Sequence, residues 1–170
     1  MIRIAEVQEF CETGTGGTPS RGKITLYYGG NIPWVKSGEL HQAVILDTRE
    51  KITEIAIQEA RLKIVTKNAI LIAMYGATVG QVSRLGIDAT TNQAVCHLLP
   101  DVEVCFPSYL YYCLLSKRRE FLFRRVGGGQ SNISQGIIRT TKIPLPFLNK
   151  NASPPSSKKR MELGKRASTK

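Results

Sequence analysis

The pattern of apolar and polar positions divides the chain into short predicted strands separated by glycine-rich turns. The clearest strand is the apolar run at 70–74, which is short enough to be buried within a sheet. Turn residues follow it at 75–80, and a returning strand is predicted at 81–83. A second turn at 86–88 leads through polar residues to another apolar run from Val95. Glycines between such runs permit tight turns or close backbone approach, so the pattern predicts a sheet and alone assigns no function.

The N-terminal third shows the same type of pattern. Strands are predicted at 2–10 and 23–28, the first from alternating apolar positions at Ile2, Ile4, Val7 and Phe10. The segment 14–22 is too rich in glycine and proline for regular structure, and turns are predicted at 29–31 and 37–40. Trp34, the only tryptophan, is predicted to anchor the core with its indole N–H hydrogen-bonded.

Two helices are predicted. The first covers 48–66, with Thr53 as N-cap and an imperfect apolar face of Ile57, Ala60, Leu62 and Ile64. The second begins at Pro107 or Ser108 and runs to 126, where the glycines at 127–129 stop it. After it come a predicted short turn at 135–141 and a strand at 142–147, whose alternating prolines suit only a sheet edge or an exit.

Charge suggests a polyanionic partner. The 170 residues carry a net charge of +11, of which +6 lies in 149–170 and +5 in 1–148. The length fits one domain with a real core, and no apolar run approaches the roughly 20 residues of a membrane span. The N-terminus lacks the layout of a signal peptide, and the four cysteines, without CxxC pairing, are expected to be reduced thiols in a cytoplasm.

Catalytic motifs are absent from the sequence. The glycine-rich segment 14–22 lacks the spacing of a nucleotide-phosphate loop, and the two histidines lie far apart in sequence. We find neither a methyltransferase tetrapeptide nor a convincing nuclease pair of carboxylates followed by ExK. These absences point away from an independent enzyme, although a small stand-alone nuclease is kept as an alternative.

Seven motifs in a fixed order are more informative than any one of them. They are GGTPSR (16–21), IPWVKSGEL (32–40), ILIAMYGATVG (70–80), TNQAV (91–95), YLYY (109–112), GGQSNIS (128–134) and KIPLPFL (142–148). In this order they closely resemble the target recognition domain of the DNA specificity subunit of type I restriction–modification systems. The resemblance covers essentially all of 1–148.

The resemblance implies an α+β fold, with a twisted, mostly antiparallel sheet and a few helices. It implies a non-catalytic domain that reads one half of a bipartite target in double-stranded DNA. It also implies partners, namely methyltransferase (modification) subunits docked on spacer helices and motor-nuclease (restriction) subunits. Those partners would bind S-adenosylmethionine, ATP and Mg²⁺, so no cofactor or metal is expected on this chain.

The C-terminus departs from the family pattern. Members usually continue into a spacer helix with a repeating apolar face, whereas 149–170 is rich in Ser, Pro and Lys and is expected to be a disordered basic tail. The expected organisation is therefore a recognition domain at 1–148 followed by this tail. The chain resembles a truncated, single-domain form, and a non-functional remnant is the alternative reading.

Site residues are expected in two groups, because phosphate contacts set register whereas contacts to base edges specify sequence. The candidates for phosphate contact are Arg21, Lys36, Arg118, Arg119 and Arg139. Polar side chains that could face DNA are Gln81, Asn92, Gln93, Gln130, Asn132 and Ser134.

Motifs that a family shares cannot encode targets that differ between its members. Asn92, Gln130 and Asn132 could therefore cap turns or hold backbone instead of facing DNA. Base readers are expected between motifs, at 41–49 and 81–89, where Arg49 and Arg84 could each pair with a guanine. The arginines of the second helix could equally form a solvated face favoured by the helix dipole.

Overall fold

The computed structural model describes residues 2–123 and 132–146, and the fold is α+β with mostly antiparallel strand pairs. The strands are β1 Ile2–Glu6, β2 Cys11–Thr15, β3 Tyr28–Val35, β4 Val44–Ile45, β5 Lys51–Ile52, β6 Ile70–Ala73, β7 Val82–Leu85, β8 Thr90–Thr91, β9 Val95–Pro100 and β10 Lys142–Pro146. The α-helices are α1 Ile24–Tyr27, α2 Glu54–Ala60, α3 Pro107–Ser116, α4 Arg118–Phe123 and α5 Gln135–Arg139. Single 3₁₀ turns lie at Val7–Glu9, Arg21–Lys23, Ser37–Glu39 and Gly76–Thr78.

The main sheet has five strands in the order β2-β9-β6-β7-β4, with β6 at its centre. Every residue of β6 is buried, which confirms the apolar run as a core strand. Alternate residues enter different cores, since Ile70 and Ile72 pack with the helices and β1/β10 while Leu71 and Ala73 pack on the opposite face. The predicted returning strand is β7, which pairs antiparallel with β6.

A second sheet of three strands, in the order β5-β3-β8, carries a small core of its own. That core contains Tyr27, Trp34, Ile52 and Ala56, so Trp34 is the predicted anchor. Its side chain is 2% exposed, and the indole N–H donates to the carbonyl of Gly17 at 3.0 Å. Two of the strand pairs, β3–β8 and β4–β7, are parallel, and the rest are antiparallel.

The predicted strand at 23–28 is wrong, because most of it is helical. Arg21–Lys23 and α1 form helical turns, and β3 begins at Tyr28 and runs through the segment predicted to be a turn at 29–31. The tertiary structure explains this strand, since a side chain on Gly30 would lie 2.3 Å from the carbonyl oxygen of Ile52. Glycine lets the two strands approach, with a bulge between Tyr28 and Ile32.

The predicted helix at 48–66 is too long. Thr53 is its N-cap, as predicted, and accepts a hydrogen bond from the backbone N–H of Ala56 at 3.2 Å. The helix ends at Ala60 because Arg61 adopts a left-handed conformation, with φ of 51°. Ile64 is 54% exposed and lies outside the helix. Before Thr53, residues 48–50 are irregular and Lys51–Ile52 form β5.

The ends of the chain need three further corrections. The alternation at 2–10 yields only five residues of strand, and Ile2 and Ile4 are exposed while Ala5 and Val7 are buried. The predicted second helix starts with Pro107 but is divided at Lys117 into α3 and α4. The predicted turn at 135–141 is helix α5, and β10 is an edge strand paired with β1, as its prolines indicate.

Several predictions fall outside the described residues. These are the helix end at 126, the glycine stop, Gln130, and the tail at 149–170 with its boundary at residue 148. No disulfide joins any of the four cysteines, all of which lie within the described residues, and burial raises the pKa of Cys96 to about 12. The boundary and the reduced state remain predictions.

We expect the fold to become less stable as the pH falls from neutral, because His97 is buried. Its side chain is 5% exposed on β9, and burial lowers its pKa although the Glu12 carboxylate opposes that shift and Lys63 adds to it. The unfolded chain, with a histidine pKa of about 6.5, then binds a proton that the folded chain resists, so stability falls as the pH drops through that value.

Urea unfolding between pH 5.5 and 7.5 measures this effect. His97→Gln should reduce the dependence of unfolding free energy on pH in this window. Equal pH slopes in His97→Gln and the unmodified chain would contradict the assignment.

Candidate nucleic-acid interface

Segments far apart in sequence meet at one end of the five-stranded sheet. Strands β2 and β6 end there and β9 begins there, because β9 runs antiparallel to both neighbours. The chain beyond these strand ends is joined by three backbone hydrogen bonds of 2.8–2.9 Å. The N–H groups of Gly17, Met74 and Ile133 donate to the carbonyls of Thr91, Ala94 and Met74, respectively. We call residues 15–18, 74–75, 92–94 and 132–134 the motif edge.

The motif edge unites five of the seven motifs. Four contribute residues directly, and the backbone N–H of Asn92 donates to the carbonyl of Val35 at 2.9 Å, which brings in the tryptophan-containing motif. Close approach depends on Gly16, where an added Cβ would lie 1.8 Å from the carbonyl oxygen of Thr91. The Thr18 hydroxyl donates to the side-chain carbonyl of Gln93, and both side chains are exposed. Polar groups therefore face solvent along an edge that the backbone holds rigidly.

Two predicted phosphate contacts lie beside this edge, joined by a carboxylate that sequence reasoning missed. The Arg21 guanidinium contacts one oxygen of Glu50 at 2.7 Å, and the Lys36 ammonium contacts the other. We call Arg21, Lys36 and Glu50 the cation cluster. Hydrogen bonds from Lys36, and then from Arg21, hold the pKa of Glu50 below its usual value although partial burial opposes this.

Aromatic rings support the cation cluster. The Arg21 guanidinium lies 4.2 Å from the ring centroid of Tyr28, and Tyr28 meets Trp34 edge-on at 5.8 Å. The Lys36 ammonium lies 6.0 Å from the Trp34 ring. Arg21 and Lys36 therefore both lie close to the pair of rings formed by Tyr28 and Trp34.

Glu39 positions the backbone beside Lys36 and Arg49. Its side chain belongs to a residue only 3% exposed, and its two oxygens accept the backbone N–H groups of Lys36 at 2.8 Å and Arg49 at 2.9 Å. Sequence reasoning treated this segment only as a turn. A glutamate at the third position of a helical turn can accept the N–H of the residue before that turn, as in one half of a capping box, and this spacing could have identified the role.

The predicted base readers Arg49 and Arg84 are not brought together. Arg49 is exposed in the loop that Glu39 holds, whereas Arg84 pairs with Val44 towards the opposite end of β7 from the motif edge. Gln81 lies at the near end of β7, where its carbonyl accepts the N–H of Ala73 at 3.0 Å. Of the polar residues expected between motifs, Gln81 is therefore placed next to the edge.

The remaining predicted cations lie on helices. The aliphatic part of Arg118 packs 3.5 Å from the position of a Cβ on Gly80, in the turn after β6, and its Nε is buried without a partner among the described residues. Arg119 is exposed on α4, and Arg139 is exposed in the last turn of α5. Only Arg118 reaches the turn that adjoins the motif edge.

The predicted asparagine and serine roles differ from one another. Ser134 caps α5, since its hydroxyl accepts the backbone N–H of Ile137 at 3.2 Å. Asn92 holds its turn through the main chain, whereas the side-chain Oδ1 atoms of Asn92 and Asn132 are buried without a partner in the part of the chain that the structure describes. These two acceptors leave hydrogen-bonding capacity at the motif edge.

A pocket of about 440 Å³ opens at the same edge. Its lining residues are Thr15, Met74, Tyr75, Asn132, Ile133, Ser134 and Gln135. Tyr75 is 39% exposed, so an aromatic surface and the unpaired acceptor of Asn132 adjoin one cavity. A group bound in this pocket could donate a hydrogen bond to Asn132 and lie beside the ring of Tyr75.

Within residues 2–123 and 132–146, no cluster of three or more His, Cys, Asp or Glu side chains is placed to hold a metal ion. In the same part of the chain, every helix is too short or too polar to cross a membrane.

The fold is that of solved specificity subunits. The S subunit of a type I restriction–modification system from M. genitalium aligns over 89% of this chain and 36% of that one, with a TM-score of 0.63 and 18% identity. The HsdS subunit from Thermoanaerobacter tengcongensis aligns over 85% of this chain and 33% of that one, with a TM-score of 0.65 and 18% identity. At these identities the likeness shows the fold, and it confirms the predicted fold class.

Sequence comparison defines the family. Residues 3–153 match the family described as "Type I restriction modification DNA specificity domain", and the chain belongs to this family. It is 27% identical over 139 residues to the EcoR124I/EcoR124II specificity subunit of Escherichia coli, covering 79% of this chain and 34% of that subunit. It is 30% identical over 148 residues to the MjaIX specificity subunit of Methanocaldococcus jannaschii, covering 84% and 34%. The chain thus spans about a third of the length of the relatives it matches.

Proposed function

We propose that this chain is a DNA-reading domain of a type I restriction–modification complex, and that it recognises one half of a bipartite duplex target. The observation that carries the proposal is the motif edge, where family motifs from distant parts of the sequence meet beside the cation cluster. Exposed side chains there can reach base edges, and cations next to them can contact phosphates. The net charge of +11 agrees with a polyanionic ligand.

The interface divides into two roles. Arg21 and Lys36 would contact phosphates beside the motif edge. Arg118, which packs against the turn after β6, and Arg119 on the same helix remain further candidates for phosphate contact. Gln81 and Gln93 would meet base edges, and Arg49, next to Glu50 in the chain, lies beside the cation cluster. Arg84 and Arg139 lie further from the motif edge and would contact DNA only if it extends past this edge. Gln130 and the side chains of Asn92, Asn132 and Ser134 remain candidates for contact with DNA.

The chain itself performs no catalysis in this proposal. Methyltransferase and motor-nuclease subunits would supply the chemistry and would bind S-adenosylmethionine, ATP and Mg²⁺. The recognition domain would cover 1–148, and the basic tail at 149–170 would add charge without reading sequence. Incubation of the purified chain with plasmid and Mg²⁺ distinguishes the stand-alone nuclease, since cleavage without partners would favour that alternative.

Removing both cations of the cluster should weaken binding to duplex DNA in a salt-dependent manner. Each neutralised phosphate contributes about 0.9 to the slope of log affinity against log salt, so Arg21→Gln/Lys36→Gln should reduce the slope by up to about 1.8. Fluorescence anisotropy on a labelled duplex, titrated from low to physiological salt, measures this.

A charge-matched control separates this site from overall charge. Lys67 and Lys142 are exposed outside the cation cluster, one before β6 and the other on β10, so Lys67→Gln/Lys142→Gln should leave the slope nearly unchanged. Equal losses in the two double variants would mean that DNA does not bind at the cation cluster. Failure of the unmodified chain to bind any duplex, alone or with partner subunits, would favour the non-functional remnant.

A further inference from the structure

Glu50 lies where it can compete with DNA. Each of its two carboxylate oxygens contacts a different cation, Arg21 at 2.7 Å and Lys36 at shorter range. The three side chains are only partly buried, with exposed fractions of 51% for Arg21, 34% for Lys36 and 30% for Glu50. The cations that face solvent beside the motif edge are thus already bridged by an anion from the same chain.

A carboxylate and a phosphodiester present the same pattern to these cations. Both offer two anionic oxygens to a guanidinium fork and an ammonium, with hydrogen bonds of similar length. The Arg21 guanidinium also lies over the ring of Tyr28, 4.2 Å from its centroid. The site that holds the Glu50 carboxylate therefore suits a backbone phosphate.

The Glu50 side chain can leave without breaking the fold around it. Its main-chain carbonyl accepts the N–H of Trp34 at 3.2 Å and the hydroxyl of Thr48 at 2.7 Å. These bonds anchor residue 50 to the second sheet independently of its carboxylate. The ion pairs of the Glu50 side chain are with Arg21 and Lys36. When this side chain rotates towards solvent, the two cations lose exposed ion pairs and can contact a phosphate instead.

We propose that the Glu50 carboxylate occupies, in the free protein, the place of a DNA phosphate between Arg21 and Lys36, and that DNA must displace it to bind; this rests on the proposed function. The displaced carboxylate remains near the phosphate and repels it. The displacement costs the same at any sequence, so Glu50 lowers the affinity of the domain for target and non-target DNA alike. Only DNA that also makes base contacts offsets this cost.

The test compares Glu50→Gln with Glu9→Gln in the full 170-residue chain. Both changes remove one negative charge, so the net charge of the two variants is the same. Glu9 is paired with Arg3 of β1 at 3.2 Å, on the side of the main sheet opposite to the cation cluster. On random-sequence duplex at low salt, Glu50→Gln should bind about two- to fivefold more tightly than Glu9→Gln, the range expected for releasing exposed ion pairs.

A double-mutant cycle separates competition from a structural role. In the Arg21→Gln/Lys36→Gln background, Glu50→Gln should no longer tighten binding, because no cations remain to be released. Equal affinities of Glu50→Gln and Glu9→Gln, with the unmodified chain binding DNA, would overturn this inference alone. Weaker binding by a folded Glu50→Gln variant would also overturn it, since Glu50 would then orient the cations for DNA. A chain that binds no DNA in any form would overturn the proposed function as well.

Discussion

Trp34→Ala is expected to lower the free energy of unfolding by about 3–5 kcal/mol, the usual cost of removing a buried tryptophan side chain. The residue is 2% exposed, its indole N–H bonds the Gly17 carbonyl at 3.0 Å, and its ring meets Tyr28 at 5.8 Å. Because single domains are stable by only about 5–15 kcal/mol, this loss endangers folding. Urea unfolding followed by far-ultraviolet circular dichroism measures it.

The control for this variant is an exposed aromatic residue. Phe123 is 91% exposed, so Phe123→Ala should leave the unfolding free energy nearly unchanged. If Trp34→Ala instead kept its melting temperature and lost DNA binding, Trp34 would be a stacking residue and its assignment to the core would be wrong.

Gly16→Ala is expected to destabilise the domain by about 3 kcal/mol or more, at the upper end of what overpacking costs. The new Cβ would lie 1.8 Å from the Thr91 carbonyl oxygen, and that oxygen also accepts the N–H of Gly17 at 2.9 Å. The clash is with main chain, which cannot rotate away as a side chain can. The segment after β2 must therefore separate from β8, and the motif edge with it.

Gly38→Ala provides the matched control. A Cβ on Gly38 meets open space, and its backbone needs no left-handed conformation, so alanine should be neutral or slightly stabilising there. Thermal melts of both variants give the comparison, and DNA anisotropy reports whether Gly16→Ala also loses binding. Matching melting temperatures for the two variants would mean that the chain at Gly16 has room to adjust.

The sequence pattern predicted strands, helix starts and core positions correctly where burial depends on local periodicity. The run at 70–74 became the central strand because only the middle of a sheet accepts apolar residues on both faces. Pro107 and Thr53 started helices where they were expected, since capping acts within one turn. The core role of Trp34 and the fold class followed from the sequence for the same reason and from the resemblance of its motifs.

Other local assignments failed where distant contacts outweighed them. The segment 23–28 was expected to be a strand, yet most of it forms α1, where Tyr27 is buried and its hydroxyl donates to Glu59. The glycines at 29–30 were typical of a turn, but they lie in β3, where Gly30 lets this strand approach β5. Local propensities are small, so packing against a neighbouring element decides such cases.

The candidate interface shows the same contrast between what local sequence predicts and what tertiary contacts decide. Arg21, Lys36 and Gln93 could be chosen from the sequence as charged or polar residues within motifs, because residue type is a local property. The bridging of two of them by Glu50 could not, since residues 21, 36 and 50 are brought together only by the pairing of β3 with β5 and the fold of the loops around them. Sequence thus identified the chemical groups of this protein, and tertiary structure decided which of them share a surface, because contacts between distant segments depend on the whole sheet.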